Sequence, residues 1–479
     1  MPQFVERQNV HDTSPASPLA VPVQQSRSKR IVVIGGGFGG IAATRALAHC
    51  DAEVVLIDRR NHHIFQPLLY QVATAVLAPA DIAAPLRQLA QKQTNLNVML
   101  AEATSVDLTS RSVDVRTPDG NTRNVAFDFL VVATGMQPGY FGHEEFAKYA
   151  PGLKTLSDAE TIRNRILTAY ELAELTDDEN ERTRLMTFVL VGAGPTGVEM
   201  AASMAQMSTV TLRANFRRID PAKSAIVLLD GASRILPSFA ESLSKKAAAR
   251  LEKLGVKILT SMTVERVDAQ GIVANGQRIA SATVLWTAGV AASAVVKSLG
   301  ANTDRAGRVS VGPFMDVANT PGVFVIGDTT SVLRNGKPLP GVGQVAIQQG
   351  RYVGRVIANL LNGRKPERPF EYVDKGNMAV VGKNFALLES GRVRMSGYLT
   401  WLVWAFVHLM SLPQLQNKLR VRTQWLWSYC TGQRSSRLIL PAPSAPPTDA
   451  HSVVPPADER TLRPTSPHPE DAYASSHAV

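Results

Sequence analysis

Ile31 to Gly40 reads IVVIGGGFGG and Phe188 to Gly197 reads FVLVGAGPTG; these two stretches decide the fold of this 479-residue chain. Each places glycines in the spacing G-x-G-x-x-G after four apolar residues, at Gly35, Gly37 and Gly40 and again at Gly192, Gly194 and Gly197. The first glycine makes a tight strand-to-helix turn, the second lets the backbone approach a pyrophosphate, and the third lets helix pack on strand. The helix N-terminus then offers free N–H groups to phosphates. The repetition therefore predicts two dinucleotide sites in one chain.

An acidic residue ends the next apolar run in each half. EVVLID ends at Asp58 and AIVLLD ends at Asp230, and the longer second spacing predicts an inserted loop at residues 213–223. An acid at this place accepts hydrogen bonds from the adenosine ribose hydroxyls. The alternative is that either acid only caps its strand.

Two later segments have the character of buried strands that run into a turn. FDFLVV leads into Ala133, Thr134 and Gly135, and GVFVI leads into Gly327 and Asp328. An acid at such a strand end can accept from a ribityl hydroxyl, and the glycine beside it lets a flavin pyrophosphate approach. These segments favour a flavin on the first loop.

Cysteine usage limits the redox chemistry. The chain has only Cys50 and Cys430, which excludes both a disulfide framework and the C-x-x-C or C-x4-C pair of a disulfide reductase. No zinc-ligand spacing is present, so we expect no metal site.

Basic and aromatic residues concentrate near the C-terminus. The net charge is +11, yet residues 390–448 contain no acid. That stretch carries four of the five tryptophans and seven cations: Arg392, Arg394, Lys418, Arg420, Arg422, Arg434 and Arg437. Such a composition is typical of a segment in a membrane interface beside anionic lipid. The apolar run 398–412 argues against nucleic acid and is shorter than the ~20 residues that span a bilayer. The alternative is a helix pair packed on the core or at a dimer interface.

Four longer strings carry a family resemblance: FQPLLYQVA from Phe65, GPTGVE from Gly194, RILP from Arg234 and GQVAIQQG from Gly343. Over about residues 30–435 the chain resembles the type II NADH dehydrogenases, single-subunit NADH:quinone oxidoreductases that do not pump protons. The resemblance implies FAD on the first loop and NADH on the second. Asp230 should favour NADH over NADPH, because a carboxylate at the ribose 2′-hydroxyl repels a 2′-phosphate.

The same resemblance suggests roles for three further side chains. Glu199, expected in the first turn of its helix, would contact the nicotinamide, whereas the alternative is a favourable acid at a helix N-terminus. Gln344 and Gln348, four residues apart and so on one helix face, would line the quinone pocket. They could otherwise be polar residues of an amphipathic helix. Gly343 stands where the family commonly has alanine.

We therefore expect an α/β fold with two Rossmann-type domains and a C-terminal amphipathic membrane-associating segment. The expected boundaries are 1–29 and 441–479 for disordered tails, 30–155 with 305–375 for FAD, 156–304 for NADH, and 376–440 for the membrane-associating region. Residues 391–440 would contact the membrane. The expected location is peripheral, on the cytoplasmic face of the inner membrane, with a homodimer possible and no nucleic acid bound.

Three other functions share parts of this plan. A soluble ferredoxin or rubredoxin reductase has two loops, but its C-terminus need not be basic and aromatic. A sulfide:quinone reductase docks on membranes but needs two or three redox cysteines. A non-enzymatic flavin and NADH sensor, similar to apoptosis-inducing factor, would use its basic tail to recruit a partner, and steady NADH turnover would argue against it.

Overall fold

The computed structural model describes residues 28–440 except 335, 366 and 367. Nearly all of the expected N-terminal tail, residues 1–27, and all of the expected tail 441–479 lie outside the described residues.

Strands and helices alternate through the first part of the chain, around the first glycine loop. They are β1 (Arg30–Ile34), α1 (Phe38–Ala46), β2 (Glu53–Asp58), β3 (His62–Ile64), α2 (Leu69–Ala73), α3 (Pro79–Ile82), β4 (Ala83–Pro85), α4 (Leu86–Ala90), β5 (Leu96–Leu100), β6 (Glu102–Asp107), β7 (Ser112–Arg116), β8 (Thr122–Ala126), β9 (Phe129–Val132) and β10 (Met136–Pro138).

The same alternation recurs around the second loop. The elements are α5 (Leu156–Leu175), α6 (Glu179–Leu185), β11 (Thr187–Val191), α7 (Pro195–Gln206), β12 (Ala225–Leu229), α8 (Glu241–Lys253), β13 (Val256–Leu259), β14 (Val264–Asp268), β15 (Gly271–Ala274), β16 (Gln277–Ala280), β17 (Thr283–Trp286), β18 (Val290–Ala292), α9 (Ala294–Lys297) and β19 (Val309–Ser310).

The remaining part ends in two helices. It contains β20 (Val323–Val325), β21 (Thr330–Ser331), β22 (Leu333–Arg334), β23 (Lys337–Pro338), α10 (Gly343–Leu361), β24 (Asn377–Val380), β25 (Ala386–Ser390), β26 (Val393–Gly397), α11 (Tyr398–Ser411) and α12 (Leu415–Thr431). Shorter 3₁₀ turns lie at Gln66–Leu68, Glu144–Lys148, Pro221–Lys223 and Gly327–Thr329, with a π-helix at Met207–Thr211.

Two parallel sheets organise the molecule, which confirms the expected α/β class. The first has the order β20-β9-β1-β2-β5 and the second the order β13-β12-β11-β17. From β1 the chain proceeds to β2 on one side and later returns to β9 on the other, and β11 is flanked in the same way by β12 and β17. Ligands of open α/β sheets bind at such reversals of strand order, outside the carboxyl ends of the strands. Each sheet thus has its binding crevice beside a glycine loop.

Burial explains why the central strands are unbroken apolar runs. Helices cover both faces of a parallel sheet, so the side chains on either face of its strands are shielded from water. Ile31, Val32 and Val33 of β1 and Val189 and Leu190 of β11 are all fully buried. The predicted loop at 213–223 contains only the short 3₁₀ turn among regular elements.

Small residues bring α10 against α1. A Cβ at Gly350 would lie 2.2 Å from the Gly39 carbonyl oxygen, and one at Gly354 would lie 2.5 Å from the Ala46 side chain. The close approach places the start of α10 beside the first glycine loop, although the two helices are about 300 residues apart in sequence.

Candidate active site

The three glycines of the first loop meet three different constraints. Gly35 has a φ of +107°, and a Cβ there would lie 2.4 Å from the Ala133 carbonyl oxygen. A Cβ at Gly40 would lie 1.8 Å from the Gly35 carbonyl oxygen, whereas one at Gly37 would meet nothing within 4 Å. Gly35 and Gly40 are therefore required by the fold. Gly37 instead borders open space, as the approach of a pyrophosphate requires.

The second loop reproduces this arrangement. Gly192 has a φ of +106°, and its Cβ would lie 2.6 Å from the Ala288 nitrogen. A Cβ at Gly197 would lie 1.9 Å from the Gly192 carbonyl oxygen, and one at Gly194 would again meet nothing within 4 Å.

Both following helices begin with backbone N–H donors that no side chain caps. Pro195, the first residue of α7, has no N–H, so the donors of that helix begin at Thr196. Gly37 and Gly194 are the N-cap residues of α1 and α7, and neither helix has a side-chain capping bond or an acid in its first turn. The first N–H groups of an α-helix have no partner within the helix. With the open space beside each N-cap glycine, these donors fit the pyrophosphate of a dinucleotide.

Asp58 and Asp230 hold the two loops in equivalent ways. Asp58 accepts from the Gly36 nitrogen at 2.6 Å and from the Arg60 nitrogen at 2.8 Å. Asp230 accepts from the Ala193 nitrogen at 2.5 Å and from the Ala232 nitrogen at 2.7 Å. Each carboxylate oxygen keeps a second lone pair, so both acids can also accept from a ribose hydroxyl. Their contact with ribose stays a prediction.

Three loops meet at the carboxyl end of the first sheet. The Ala133 nitrogen donates to the Ile34 carbonyl at 2.8 Å, which joins the Ala133–Gly135 turn to the first glycine loop. The Thr329 hydroxyl donates to the Gly135 carbonyl at 3.1 Å. Gly327 has a φ of +78°, which favours glycine. The three segments that the sequence indicated for flavin are thus neighbours.

Asp328 faces this junction with its carboxylate free. Among the described residues no hydrogen bond engages that carboxylate. Burial raises the pKa of Asp328, while the charges of Lys154 and Arg308 act to lower it. Asp328 is half-buried, and an acceptor there without a protein donor is suited to a ligand hydroxyl.

Gln349 is a site residue that the sequence analysis did not select. It is fully buried, and its Oε1 accepts from the Gly327 nitrogen at 2.6 Å. It therefore fixes the Gly327–Asp328 turn from α10. The only signal was a glutamine on the apolar side of that helix.

Gln344 and Gln348 both lie on α10, but their amide groups have partners. Gln348 donates to the Val373 carbonyl at 2.9 Å and accepts from the Val373 nitrogen at 3.0 Å. Gln344 donates to the Gly376 carbonyl at 2.9 Å and accepts from the Lys375 nitrogen at 3.3 Å. The pair holds an extended segment against α10, and contact with quinone stays a prediction.

The glycine at position 343, where the family commonly has alanine, has a local cause. A Cβ there would lie 3.0 Å from Cδ2 of Phe38. The Phe38 ring, at the start of α1, would have to move by a few tenths of an ångström to accommodate an alanine methyl group.

The sequence predicts Glu199 in the first turn of its helix, and this prediction is wrong. Helix α7 begins at Pro195, so Glu199 is its fifth residue, beyond the unpaired N–H groups of the helix start. Its Oε1 accepts instead from the Val380 nitrogen of β24 at 3.3 Å. Burial raises the pKa of the Glu199 carboxyl to about 8. A carboxyl group that holds its proton near neutral pH is suited to proton exchange. The position of Glu199 beyond the first turn argues against a role as a favourable acid at the helix N-terminus.

Helices α11 and α12 each have one face on the core and one face exposed. Trp404 of α11 and Val421 of α12 are buried in the same apolar cluster. On the outer side of α11, Leu399 is 68% and Phe406 is 66% exposed. The inner side chains therefore fit the packed helix pair, and the outer ones form an exposed apolar surface.

Burial corrects two expectations for the C-terminal segment. Arg434, counted among the lipid-facing cations, is buried and donates to the Thr74 carbonyl at 2.7 Å and the Ser203 carbonyl at 2.9 Å. Of the four tryptophans of this segment, only Trp427 is exposed. Composition counts residues without assigning them to a face, which is why both were misjudged.

The helices of the described region are all too short or too polar to cross a bilayer. Likewise, across the described residues no three His, Cys, Asp or Glu side chains are grouped so as to hold a metal ion.

Comparison with known proteins gives consistent results. The family model described as pyridine nucleotide-disulphide oxidoreductase matches residues 29–350. The chain is 41% identical to the type II NADH:quinone oxidoreductase Ndh of Mycobacterium tuberculosis, over 88% of this chain and 93% of that protein. It is 40% identical to NdhA of the same organism, with 86% and 89% covered. The structure of NDH2 from Plasmodium falciparum in complex with NADH matches with a TM-score of 0.78 at 19% identity, covering 85% of this chain and 99% of that one.

Proposed function

This chain belongs to the type II NADH:quinone oxidoreductases, and we propose that it oxidises NADH and reduces a membrane quinone with FAD as its resident cofactor. The observation that carries the proposal is the second dinucleotide loop, which has the same glycine geometry as the first. Two such loops in one chain suit an enzyme that brings two dinucleotides together.

The first sheet provides the groups that fit FAD. The N–H groups at the start of α1 would bind its pyrophosphate, and Asp328 would accept from its ribityl chain. When bound, FAD supplies the chemistry, because it takes a hydride from NADH and passes two electrons to quinone. We assign residues 30–155 and 305–375 to this domain.

The second sheet provides the groups that fit NADH, and we assign residues 156–304 to it. The N–H groups at the start of α7 would bind the NADH pyrophosphate. Asp230 would accept from the adenosine ribose hydroxyls and would repel the 2′-phosphate of NADPH. Glu199, one turn further along α7, would hold a proton beside the nicotinamide.

Gln344 and Gln348 would border the quinone site by holding residues 373–376 in place. A larger apolar residue at either position is then expected to impair quinone reduction more than ferricyanide reduction, since a small acceptor can reach the flavin by other routes. Equal loss of both activities, with a lowered melting temperature, would assign the pair a structural role only.

The exposed apolar side chains of α11 and α12 would place the protein on a membrane surface. Leu399 and Phe406 on α11 and Leu415, Leu426 and Trp427 on α12 are all more than half exposed. Exposed apolar surface of this extent marks an interaction site. Arg420 and Arg422 lie exposed on the same helix and would attract anionic lipid. We propose a peripheral enzyme on the cytoplasmic face of the inner membrane.

A pair of matched phenylalanines tests this membrane surface. Phe406 is 66% and Phe141 is 74% exposed, but Phe141 lies outside the C-terminal helices. Phe406→Gln should lower sedimentation with anionic liposomes, whereas Phe141→Gln should not. Equal binding of the two variants and the wild type would place the membrane contact elsewhere.

The function itself is tested by NADH oxidation with a short-chain quinone and with ferricyanide. Quinone-dependent turnover supports the proposal. Turnover with ferricyanide alone would indicate a reductase of another acceptor, and no turnover would favour a redox sensor.

A further inference from the structure

The inner face of α11 carries two polar atoms that have no partner. Thr400 is 1% and Trp404 is 3% exposed, and no hydrogen bond satisfies the Thr400 Oγ1 or the Trp404 Nε1 within the described structure. The two residues are four apart and so lie one turn from each other on the same face. Leaving a buried donor without an acceptor is destabilising, and a buried tryptophan N–H usually finds a partner.

On the neighbouring helix α12 the tryptophan does have a partner, although Oδ1 of Asn417 on that helix has none among the described residues. Trp425 of α12 stacks on Trp404 with ring centroids 5.5 Å apart, and its Nε1 donates to Gln71 Oε1 at 2.7 Å. Asn417, also on α12, donates to carbonyls of Ala80, Asp81 and Ala83. Helix α12 is therefore fixed to the first half of the chain by polar contacts.

Helix α11 has no such ties. Its side-chain hydrogen bonds in the described part of the chain, from His408 and from Ser411, both go to carbonyls of α11 itself. Apolar contacts alone hold it, so it can shift to admit a ligand without breaking a polar contact. Its outer face is the one that we propose to be in lipid.

A continuous set of ring contacts leads from Trp404 to the first glycine loop. The centroid distances are 4.5 Å from Trp404 to His408, 6.2 Å from His408 to Phe65, and 5.9 Å from Phe65 to Phe38. Phe38 is the first residue of α1 and directly follows Gly37. The unpaired donors thus lie between a lipid-facing surface and the loop that would hold the flavin.

These donors define the chemistry of the ligand. An indole N–H only donates, whereas a threonine hydroxyl donates or accepts. The partner must therefore offer an acceptor oxygen, and a quinone, whose carbonyl oxygens become hydroxyls on reduction, offers one. Resting on the proposed function, we propose that Trp404 Nε1, assisted by the Thr400 hydroxyl, donates a hydrogen bond to a carbonyl oxygen of the quinone as it enters from the bilayer.

Trp404→Phe tests this, because it removes the donor and keeps an aromatic ring. In the full-length protein with FAD, in a detergent without ester groups, the KM for a short-chain quinone should rise about tenfold. The ratio of quinone to ferricyanide activity should fall accordingly, and loss of an unpaired donor should leave the melting temperature equal or higher. Trp425→Phe is the matched control: it breaks the bond to Gln71, so it should lower the melting temperature and change the KM less than twofold.

Thr400→Val provides a second, smaller change of the same sign, and it keeps the inference testable if Trp404→Phe does not fold. An unchanged quinone KM in the two variants would overturn the inference. If the KM is unchanged and the variants also bind ester-lipid vesicles more weakly, the acceptor is a lipid carbonyl and not the quinone. A wild-type protein that reduces ferricyanide but no quinone would instead refute the proposed function.

Discussion

The two glycine loops agree within a few degrees and tenths of an ångström. Their first glycines have φ values of +107° and +106°, and a Cβ on their third glycines would lie 1.8 Å and 1.9 Å from a carbonyl oxygen. Even the acids that follow match, since Asp58 and Asp230 accept from the same position of each loop at 2.6 Å and 2.5 Å. The surroundings differ, however. The first sheet receives β20 and with it Asp328, whereas the second contributes Glu199 from within its own helix.

The repeated unit supplies donors for a pyrophosphate in either half, and we propose that the residues that differ between the halves distinguish one cofactor from the other. Asp328 comes from a distant part of the chain, and its neighbour Gly327 is held by α10 through Gln349. Glu199 is half-buried beside β24.

Replacing the third glycine of either loop by alanine should lower the stability and the activity of the protein more than any other change proposed here. Gly40→Ala and Gly197→Ala each place a methyl group on a carbonyl oxygen, and each should destabilise the protein by roughly 2–5 kcal/mol. Gly40→Ala should lose flavin, measured by absorbance after gel filtration. Gly197→Ala should retain flavin that NADH no longer reduces.

Gly37→Ala and Gly194→Ala are the controls, since a methyl group there meets no protein atom within 4 Å. They should weaken cofactor binding with little change in melting temperature. A large loss of stability in these two variants would contradict the assignment of the open space to pyrophosphates.

Glu199→Gln should have the next largest effect. It should slow flavin reduction by NADH about 100-fold or more, as expected for loss of a group that handles a proton, and leave FAD content unchanged. Stopped-flow flavin absorbance measures the rate. An unchanged rate would return Glu199 to a structural role against Val380.

Asp230 should set the preference for NADH. Asp230→Asn removes the charge, so the ratio of kcat/KM for NADH to that for NADPH should fall about tenfold. Asp58→Asn is the matched change in the first half, and it should leave this ratio as it is. The account of Asp230 fails if the two variants behave alike.

The smallest effect concerns stability and pH. The pKa of Glu199 is raised from 4.5 to about 8 in the folded protein, so the folded state keeps a proton that the unfolded state has lost. The stability of the wild type should therefore fall as pH rises from 4.5 to 8, and Glu199→Gln should remove that part of the decline. Melting temperatures of both proteins at pH 5 and pH 8 test this: the variant should be the more stable at pH 8 only.

Short-range patterns predicted the repeated unit well. The turns at Gly35 and Gly192 and the acids Asp58 and Asp230 belong to one strand, turn, helix and strand pattern that occurs twice, and each is found where the spacing places it. Side-chain partners from distant segments could not be predicted. Gln344 pairs with the backbone near Gly376, which no local pattern specifies.

The C-terminal helices show the same limit. Their composition correctly indicated an exposed apolar surface, but Arg434 and Trp404 are buried. A count of cations and aromatics does not say which face of a helix each occupies. The start of α7 at Pro195 rather than later also moved Glu199 out of the first turn.

The two halves of the protein should act in sequence on one pair of electrons. An anaerobic stopped-flow experiment with the flavin-loaded protein tests this order, with NADH added first and a short-chain quinone second. NADH should bleach the flavin absorbance, and quinone should restore it. Flavin that NADH leaves oxidised, or reduced flavin that ferricyanide reoxidises but quinone does not, would contradict it.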